Sequence, residues 1–328
     1  METTNIGPLT VSVLNLGAML FGTRTPEDVS RDLLDRFVEA GGNFIDTSNN
    51  YAFWQTGSQG GESEALLRRW LKDRGRRHEL VIATKVGARP NRAGAGLEDI
   101  EGLSKQVIVK NIDDSLKRLG TDYVDLYYAH IDDRTTELEE TLEGFDAVVK
   151  AGKVRAIGCS NYTIWRVERA IQLSRQHGWP EYVTIQQSHS YFRQRPLSDL
   201  VKDGTMGMRG GWGPNGGLTG QHLDYLRFNP GFRAVAYTPM LRGAYSDPEK
   251  LPENYRTPDN EKRSAALGEL VRETGATANQ VVLAWLLQSS PSIIPLMAVS
   301  TSDQLSDNLG ATRLKLTKEQ IARLDSAA

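Results

Sequence analysis

The chain has little of what disulfide-linked, zinc-binding and membrane-spanning proteins require. Its 328 residues include one cysteine, Cys159, and five scattered histidines, so neither an internal disulfide nor a zinc cluster is expected. No apolar run approaches the roughly 18 to 20 residues that span a bilayer, and the first ten residues lack a basic region followed by an apolar one. These absences predict a protein of the reducing cytoplasm that holds no metal and does not enter a membrane.

An excess of charge of either sign is also missing. Lysine and arginine total 39, aspartate and glutamate total 41, and the formal net charge is −2. The chain has no long block of like charges, so we do not expect it to bind nucleic acid or an anionic membrane by charge alone. With 39% hydrophobic residues, its composition is that of an ordinary globular protein with a sizeable buried core.

Short apolar runs alternate with longer amphipathic stretches from residue 15 onward. The alternation predicts a parallel sheet covered by helices. The predicted strands span 15–18, 43–46, 80–85, 123–129, 154–159, 183–187, 233–238 and 292–296. The predicted helices span 26–40, 62–73, 104–119, 136–151, 163–177, 262–274, 278–288 and 302–309. This pattern predicts an α/β fold, the closed (β/α)8 or TIM barrel, and residues 6–13 predict a hairpin before it.

An open, doubly wound sheet with a second domain is the alternative. No linker rich in proline or serine divides the chain, so we expect one domain over residues 1–328. The stretch 203–233 departs from the regular pattern, with eight glycines between Gly204 and Gly220. Because so long an irregular stretch is unusual inside a compact domain, we predict a loop over the mouth of the barrel.

Polar residues that follow the predicted strands form a candidate site. In barrels of this kind the reacting groups lie at the carboxyl ends of the strands. Asp46, Lys85 and His130 stand at three successive strand ends, and Tyr51 lies five residues after Asp46. The later strands end in Ser160 and Asn161, in Gln186 and Gln187, and in Tyr237 and Pro239. We therefore expect these side chains to meet on one rim.

Asp46, Tyr51, Lys85 and His130 together could protonate a carbonyl oxygen. A free tyrosine has a pKa near 10, and we expect the Lys85 ammonium to lower the pKa of Tyr51 while Asp46 keeps the lysine charged. His130 could donate a hydrogen bond to the oxygen as negative charge develops there. No side chain supplies a hydride, so carbonyl reduction at this site implies a nicotinamide cofactor.

Four segments match the ordered motifs of a known family. Residues 41–51, GGNFIDTSNNY, match an Asp-Thr-x-x-x-Tyr segment, and residues 82–85, IATK, match a strand that ends in lysine. Residues 149–161, VKAGKVRAIGCSN, match a signature that begins Lys-Ala-Gly-Lys and ends Ser-Asn, and residues 294–309 match a cofactor segment near the carboxyl terminus. Over about residues 8–325 the chain resembles the aldo-keto reductase superfamily.

The resemblance implies a (β/α)8 barrel that uses NADPH to reduce aldehydes or ketones, keto-sugars among them. It implies that Tyr51 is the general acid and base, that Lys85 and Asp46 tune it, and that His130 orients the carbonyl. The cofactor contacts that it implies are Gly22, Thr23, Asp46, Ser160, Asn161, Gln187, Tyr237, Pro239, Leu241, Gly243, Leu296, Ala298, Ser300, Gln304, Asp307 and Asn308. We further expect an apolar, aromatic substrate pocket that includes Phe21, Trp54 and Trp212.

The chain departs from the family pattern in two places. Many relatives carry a basic residue that meets the 2′-phosphate of the cofactor, whereas this chain has Ser300 and Thr301 in that segment. Hydroxyls bring no compensating charge, so NADPH is expected and NADH stays open. Gln187 is followed by Ser188, whereas relatives usually have an aromatic residue earlier, so the register of this strand also stays open.

Two other functions stay open on the sequence alone. Potassium-channel β-subunits resemble the same family and retain its catalytic set, so a cofactor-binding regulatory subunit with little turnover is an alternative. Lys85 by itself would also suit a Schiff-base lyase of the same fold, although Tyr51 and His130 beside it favour reduction. The only partner that the pattern predicts is a small carbonyl substrate, and it does not indicate an oligomeric state.

Overall fold

The structure is a computed structural model that describes residues 1–55, 57–92, 95–96, 99–195 and 217–327. A hairpin of β1 (Thr3–Ile6) and β2 (Leu9–Ser12) comes first. The remaining strands are β3 (Asn15–Gly17), β4 (Phe44–Asp46), β5 (Val81–Val86), β6 (Val124–Ala129), β7 (Val154–Ser160), β8 (Tyr182–Ser188), β9 (Arg233–Tyr237) and β10 (Ile294–Met297). All neighbours among β3 to β10 pair in parallel, and β10 pairs with β3, so these strands close into a barrel.

Helices connect the strands and cover the outside of the barrel. The α-helices of the described residues are α1 (Glu27–Glu39), α2 (Glu62–Arg74), α3 (Lys105–Leu119), α4 (Leu138–Lys150), α5 (Ile164–His177), α6 (Gly220–Phe228), α7 (Pro258–Thr274), α8 (Ala278–Gln288), α9 (Ser302–Gly310) and α10 (Lys318–Asp325). Short 3-10 turns cover Arg77–Glu79, Leu241–Gly243, Pro248–Lys250 and Glu253–Tyr255. The prediction of a (β/α)8 barrel preceded by a hairpin is confirmed.

Side chains of each barrel strand alternate between the interior and the helices, as the period of two residues in a strand requires. On β6, Leu126 and Tyr128 belong to the interior cluster, whereas Tyr127 and Ala129 pack towards the helices. On β8 the alternation is interrupted, because Tyr182 and Ile185, three residues apart, both belong to the outer cluster and the pairing with β7 shifts between them. The register of pairing therefore decides which polar side chain at a strand end faces the interior.

The hairpin closes one end of the barrel. Ile6, Leu9 and Val11 belong to the same interior cluster as Phe44 and Val81, which are the first residues of β4 and β5. The amino ends of the strands are therefore covered by apolar side chains. The carboxyl ends, where the polar residues stand, lie on the opposite rim.

The structure corrects the prediction of a loop throughout 203–233, because residues 220–228 form α6. Thr219 and His222 form a capping box at its start, and His222 and Leu226 are buried on its inner side. The glycine-rich part of that prediction, residues 203–216, lies outside the described residues.

One further helix boundary and one further helix differ from the prediction, and a threonine cap marks the start of each helix. Helix α7 begins at Pro258 rather than at residue 262, since Thr257 accepts a hydrogen bond from the Asn260 N–H at 3.2 Å and proline suits the first helical position. Helix α10 was not predicted, although Thr317 and Gln320 form a capping box at its start. No helix in the described residues is long and apolar enough to cross a membrane.

Gly158 lies inside the barrel, where the neighbouring strands leave no room for a side chain. An ideal Cβ at this position would lie 2.7 Å from Cε1 of Tyr128 and 2.8 Å from Cγ2 of Thr184. We expect Gly158→Ala to lower the free energy of unfolding by about 1–3 kcal/mol through overpacking, as measured by urea denaturation.

Gly231→Ala is the matched control, since no heavy atom lies within 4 Å of its ideal Cβ. Its free energy of unfolding should stay within about 0.5 kcal/mol of the original. Equal stability of the two variants would contradict the packing described around Tyr128.

Candidate active site

Asp46, Tyr51 and Lys85 meet at the carboxyl ends of β4 and β5. Lys85 Nζ donates hydrogen bonds to Tyr51 Oη at 2.6 Å and to the Thr47 carbonyl at 2.8 Å, and it forms an ion pair with Asp46 Oδ1. Tyr51 Oη in turn donates to the same Oδ1 at 3.0 Å. Asp46 and Lys85 are completely buried, and Tyr51 is 8% exposed. The three side chains thus form one closed hydrogen-bonded triangle, shielded from bulk water.

The loop after β4 places Tyr51 above Lys85. Its first residue, Thr47, donates its N–H to the carbonyl of Ala83 on β5 at 2.8 Å, and the side chain of Asn50 donates to the Ala88 carbonyl at 2.9 Å. These bonds hold the loop across the end of β5. The turn needs a left-handed residue directly after Tyr51, and Ala52 takes that conformation with φ of 65°.

His130 lies beside the phenol of Tyr51. Their ring centroids are 6.1 Å apart with the planes at 74°, and His130 is 6% exposed. Ser48 Oγ lies 3.2 Å from His130 Nδ1 and donates to Asn50 Oδ1 at 2.7 Å. Ser48 and Asn50 therefore hold the Nδ1 side of the imidazole, and the sequence reasoning did not single them out.

Burial decides the protonation of this group. Burial, strengthened by the charge of Asp46, raises the pKa of Tyr51 well above 10. Burial also lowers the pKa of Lys85, against the opposing effect of Asp46. Burial, with a smaller contribution from the Lys85 charge, lowers the pKa of His130 well below 6.5. At neutral pH Tyr51 is a phenol and His130 is neutral.

The direction for Tyr51 corrects the expectation that Lys85 makes the phenol unusually acidic. Removing the hydroxyl from water disfavours the phenolate, and the Asp46 carboxylate disfavours it further. In this structure the phenol is a held proton donor, and Lys85 lies where a phenolate would need a positive charge.

Gln186 was expected on the rim but was given no role in the site. Its Nε2 donates to Asp46 Oδ2 at 2.8 Å, and it is 2% exposed. The prediction had chosen its neighbour Gln187, which pairs with Ala236 of the outer cluster. Gln187 Oε1 is buried and has no hydrogen-bond partner among the residues that the structure describes. The sequence left the register of β8 open, and the observed register places the two side chains on opposite faces of the strand.

Ser160, Asn161 and Tyr237 come together as predicted. Asn161 Nδ2 donates to the His130 carbonyl at 2.9 Å and to Ser160 Oγ at 3.1 Å, and Tyr237 Oη donates to Asn161 Oδ1 at 2.8 Å. Asn161 has φ of 61°, which turns the chain sharply at the end of β7. The three polar groups lie next to the catalytic candidates on the same rim.

The segments predicted to hold the rest of a dinucleotide lie in loops of the same rim. Gly22 and Thr23 follow β3, with Gly22 at φ of 75°, and the turn Leu241–Gly243 follows Pro239 after β9. Three positive φ values between Thr238 and Arg242, of 57°, 45° and 56°, fold that turn tightly.

Some of the cofactor contacts predicted among residues 296–308 have exposed side chains, and others have buried ones. Ala298, Ser300 and Gln304 are exposed, and Gln304 Oε1 accepts from the Ser300 N–H at 2.8 Å. Leu296 and Asn308 are buried, and Leu296 packs inside the barrel. The structure therefore contradicts a side-chain contact from Leu296, because that side chain belongs to the apolar interior.

A groove of about 470 Å³ lies along α7. Ala244, directly after the turn Leu241–Gly243, lines one part of it, and Ala278 lines another. The residue before Ala278, Thr277, donates its hydroxyl to the Asp307 carboxylate at 3.0 Å. The groove therefore adjoins the turn Leu241–Gly243, one of the segments predicted to hold the cofactor.

The three residues predicted to line the substrate pocket differ in where the structure places them. Trp54 is 46% exposed and meets Phe53 edge-on at 5.1 Å between centroids. Phe21 is 1% exposed within the outer core, so the structure contradicts its prediction as a pocket wall. Trp212 lies outside the described residues. In the part of the chain that the structure describes, no group of His, Cys, Asp or Glu is arranged to hold a metal ion.

Known proteins share this sequence pattern over nearly the whole chain. A protein-family model described as "Aldo/keto reductase family" matches residues 13–208 and 221–328. "Norsolorinic acid reductase stcV" of Emericella nidulans is 32% identical over 330 residues, which cover 96% of this chain and 78% of that protein. "Uncharacterized oxidoreductase YrpG" of Bacillus subtilis is 31% identical, covering 99% of this chain and 95% of the relative.

Two more comparisons bear on structure and chemistry. "Aryl-alcohol dehydrogenase GME11368" of Pestalotiopsis microspora is 29% identical, covering 96% of this chain and 78% of that protein. The crystal structure of a thermostable aldo-keto reductase, Tm1743, in complex with the inhibitor epalrestat matches with a TM-score of 0.75 and 28% identity, covering 100% of both chains. The chain therefore belongs to the aldo/keto reductase family of oxidoreductases.

Proposed function

We propose that this protein uses NADPH to reduce the carbonyl group of an aldehyde or ketone to an alcohol, with Tyr51 as the proton donor. The observation that carries the proposal is the buried phenol of Tyr51 between the Lys85 ammonium and the Asp46 carboxylate. The coarser part of it, an oxidoreductase that uses a nicotinamide cofactor, follows from the family.

The polar groups beside the triangle fit a nicotinamide. Its carboxamide has two N–H donors and one acceptor, and the buried Ser160 hydroxyl and Asn161 amide on the same rim offer both donors and acceptors. Ser160 and Asn161 would hold the same carboxamide, and the ring of Tyr237 would pack on the pyridine. When bound, this cofactor supplies the hydride that no side chain can supply.

Tyr51 and Lys85 divide the proton chemistry between them. Tyr51 would give its proton to the oxygen of the carbonyl being reduced, and Lys85 Nζ, 2.6 Å from the phenol oxygen, would stabilise the phenolate that remains. Asp46 keeps Lys85 charged in a site without bulk water. The high pKa of Tyr51 keeps the proton available at neutral pH.

His130 is proposed to orient the carbonyl oxygen with its Nε2–H. A neutral imidazole carries one N–H, so this role needs the tautomer with hydrogen on Nε2. Ser48 supports that tautomer when its hydroxyl turns from Asn50 Oδ1, at 2.7 Å, to His130 Nδ1, at 3.2 Å. The hydrogen bond to the oxygen then stabilises the charge that develops there.

The proposed substrates are small carbonyl compounds with an aromatic ring. The exposed indole of Trp54 offers a flat apolar surface on the loop that carries Tyr51. Two relatives carry the names norsolorinic acid reductase and aryl-alcohol dehydrogenase. An aromatic aldehyde, an aromatic ketone and a keto-sugar form the assay panel. We further propose a single-domain cytoplasmic enzyme that binds neither nucleic acid nor membrane.

The adenosine end of the cofactor is proposed to lie in the groove along α7. A groove of about 470 Å³ is in the range of small-molecule sites, and Ala244, which lines it, directly follows Gly243. The Ser300 hydroxyl and the N–H groups beside it would meet the 2′-phosphate of NADPH.

Replacing the proton donor is the direct test of the proposed reaction. Tyr51→Phe keeps the ring and removes the proton, so we expect the rate of carbonyl-dependent NADPH oxidation to fall about 10²- to 10⁴-fold. Tyr225→Phe is the matched control, because that hydroxyl bonds Glu168 between α6 and α5. An unchanged rate in Tyr51→Phe, or an equal loss in both variants, would refute the role of Tyr51.

Blocking the groove tests the placement of the cofactor. Gly268 lines it, and the atom nearest its ideal Cβ is Nη1 of Arg272 at 3.6 Å. We expect Gly268→Leu to raise the dissociation constants of NADPH and NADH at least about tenfold, measured by fluorescence of the six tryptophans.

Glu269→Leu is the control for that substitution, since its side chain lines a different surface between α7 and α10. Its cofactor affinity should equal that of the original protein. The same titrations give the ratio of NADPH to NADH affinity, which tests the proposed cofactor preference. Equal affinities in all three proteins would place the adenosine elsewhere.

A further inference from the structure

A single carboxyl oxygen links the loop after β4 to the segment that follows β5. Oε1 of Glu101 accepts hydrogen bonds from Nδ2 of Asn49 at 2.8 Å and from the N–H of Gly87 at 2.7 Å. Asn49 lies in the loop that carries Tyr51, and Gly87 comes two residues after Lys85. Glu101 therefore joins the two stretches of chain that hold the phenol and the ammonium.

The contact between Glu101 and Asn49 is largely shielded from water. Asn49 is completely buried, and burial raises the pKa of Glu101 above its usual value, against the hydrogen bonds that the carboxyl accepts. A buried amide has no water with which to replace a lost partner. Nδ2 of Asn49 also reaches Oδ1 of Asn111, but at 3.4 Å, so Glu101 is the nearer of these two acceptors.

The side chain of Asn49 holds the loop more tightly than its backbone does. Its N–H lies 3.4 Å from the Lys85 carbonyl, which is long for a hydrogen bond, whereas its amide reaches Glu101 at 2.8 Å. Tyr51 follows two residues later, so a shift of Asn49 would move the phenol relative to Lys85. The phenol oxygen lies 2.6 Å from Lys85 Nζ, and a hydrogen bond of that length tolerates little displacement.

The bond to Gly87 gives Glu101 a second way to support the same loop. Gly87 has φ of 110°, a conformation that favours glycine, and an ideal Cβ there would lie 2.7 Å from Cδ2 of Leu103. The next residue, Ala88, has the carbonyl that accepts from the Asn50 side chain at 2.9 Å. By holding the Gly87 N–H, Glu101 fixes the turn that carries this other anchor of the loop.

We propose that Glu101 is a positioning residue of the proton transfer: its Oε1 fixes the loop after β4 against the segment after β5, and thereby sets the position of Tyr51 relative to Lys85. This inference rests on the proposed function. Glu101 lies outside the four segments that match the family motifs. Its role needs an acceptor rather than a charge, because both bonds end on the same oxygen.

The first test compares kcat for carbonyl reduction and the dissociation constant of NADPH in full-chain variants. Glu101→Leu removes the acceptor, and a small misplacement of a reacting group slows a reaction strongly, so we expect kcat to fall at least about tenfold. The dissociation constant of NADPH should change less than about twofold, since the proposed cofactor contacts lie in other loops. Glu101→Gln keeps an acceptor oxygen, and its kcat should remain within about threefold of the original.

A second test shows whether Glu101 acts through Asn49. Asn49→Ala removes the donor from the other side of the same bond, so we expect kcat to fall at least about fivefold. In the double variant, kcat should lie within about twofold of that of Glu101→Leu alone, because the second substitution removes a bond that is already lost. Two independent disturbances of the fold would instead multiply their losses.

Asp99→Leu is the matched control. Asp99 is another carboxylate of the segment after β5, and it accepts hydrogen bonds from Asn91 Nδ2 at 2.8 Å and from Arg92 Nε at 2.7 Å, both within that segment. Its kcat should remain within about twofold of the original. Thermal unfolding of each variant shows whether it is folded, and Asn49→Ala with Glu101→Gln tests the proposal even if Glu101→Leu is not.

The outcomes separate this inference from the proposed function. If the original protein is active, Tyr51→Phe is inactive and either Glu101→Leu or Asn49→Ala has the original kcat, the positioning role is refuted and the reaction stands. Multiplied losses in the double variant refute it as well, and so does a loss in Glu101→Gln or Asp99→Leu equal to that in Glu101→Leu. If Tyr51→Phe is as active as the original protein, the proposed function itself fails.

Discussion

The site depends on one buried ion pair, between Lys85 and Asp46. Both side chains are removed from water, and a single charge in such a place would cost several kcal/mol. Each charge is tolerated because the other is present, together with the Thr47 carbonyl on the lysine and the Gln186 amide on the aspartate. The phenol of Tyr51 joins a pair in which each charge depends on the other, so the same contacts keep both charges in the barrel and set up the chemistry.

The barrel brings these groups together by alternation. Asp46, Lys85 and Gln186 occupy inward positions at the ends of β4, β5 and β8, and the inward residues before the first two, Phe44 and Ala83, are apolar. The interior therefore changes from hydrocarbon to hydrogen-bonded polar groups within one layer of side chains. Such a boundary raises the pKa of Tyr51 and lowers that of His130, since neither ring can be charged without losing solvation.

Much of this arrangement could be predicted from the sequence, because the spacing of apolar residues and the glycine and capping residues at the ends of helices are local properties. The eight strands, the hairpin and the meeting of Asp46, Tyr51 and Lys85 followed from apolar runs and from the residues that end them. The choice between Gln186 and Gln187 did not, since a shift of one residue reverses the face of a strand and the pairing partners lie far away in the chain. The pKa of Tyr51 was predicted to be lowered rather than raised, because desolvation depends on packing that a single motif does not contain.

Helices α6 and α10 were not predicted, although the threonine caps that mark their starts, Thr219 and Thr317, can be read from the sequence.

The hairpin that covers one end of the barrel limits where a ligand can enter. Ile6, Leu9 and Val11 cover the amino ends of the strands with apolar side chains, so among the described residues the way to Lys85 and Tyr51 lies at the carboxyl ends. A dinucleotide and a carbonyl compound would then share one entrance. The ligand that binds deeper must bind first and be released last, so binding and release would be ordered.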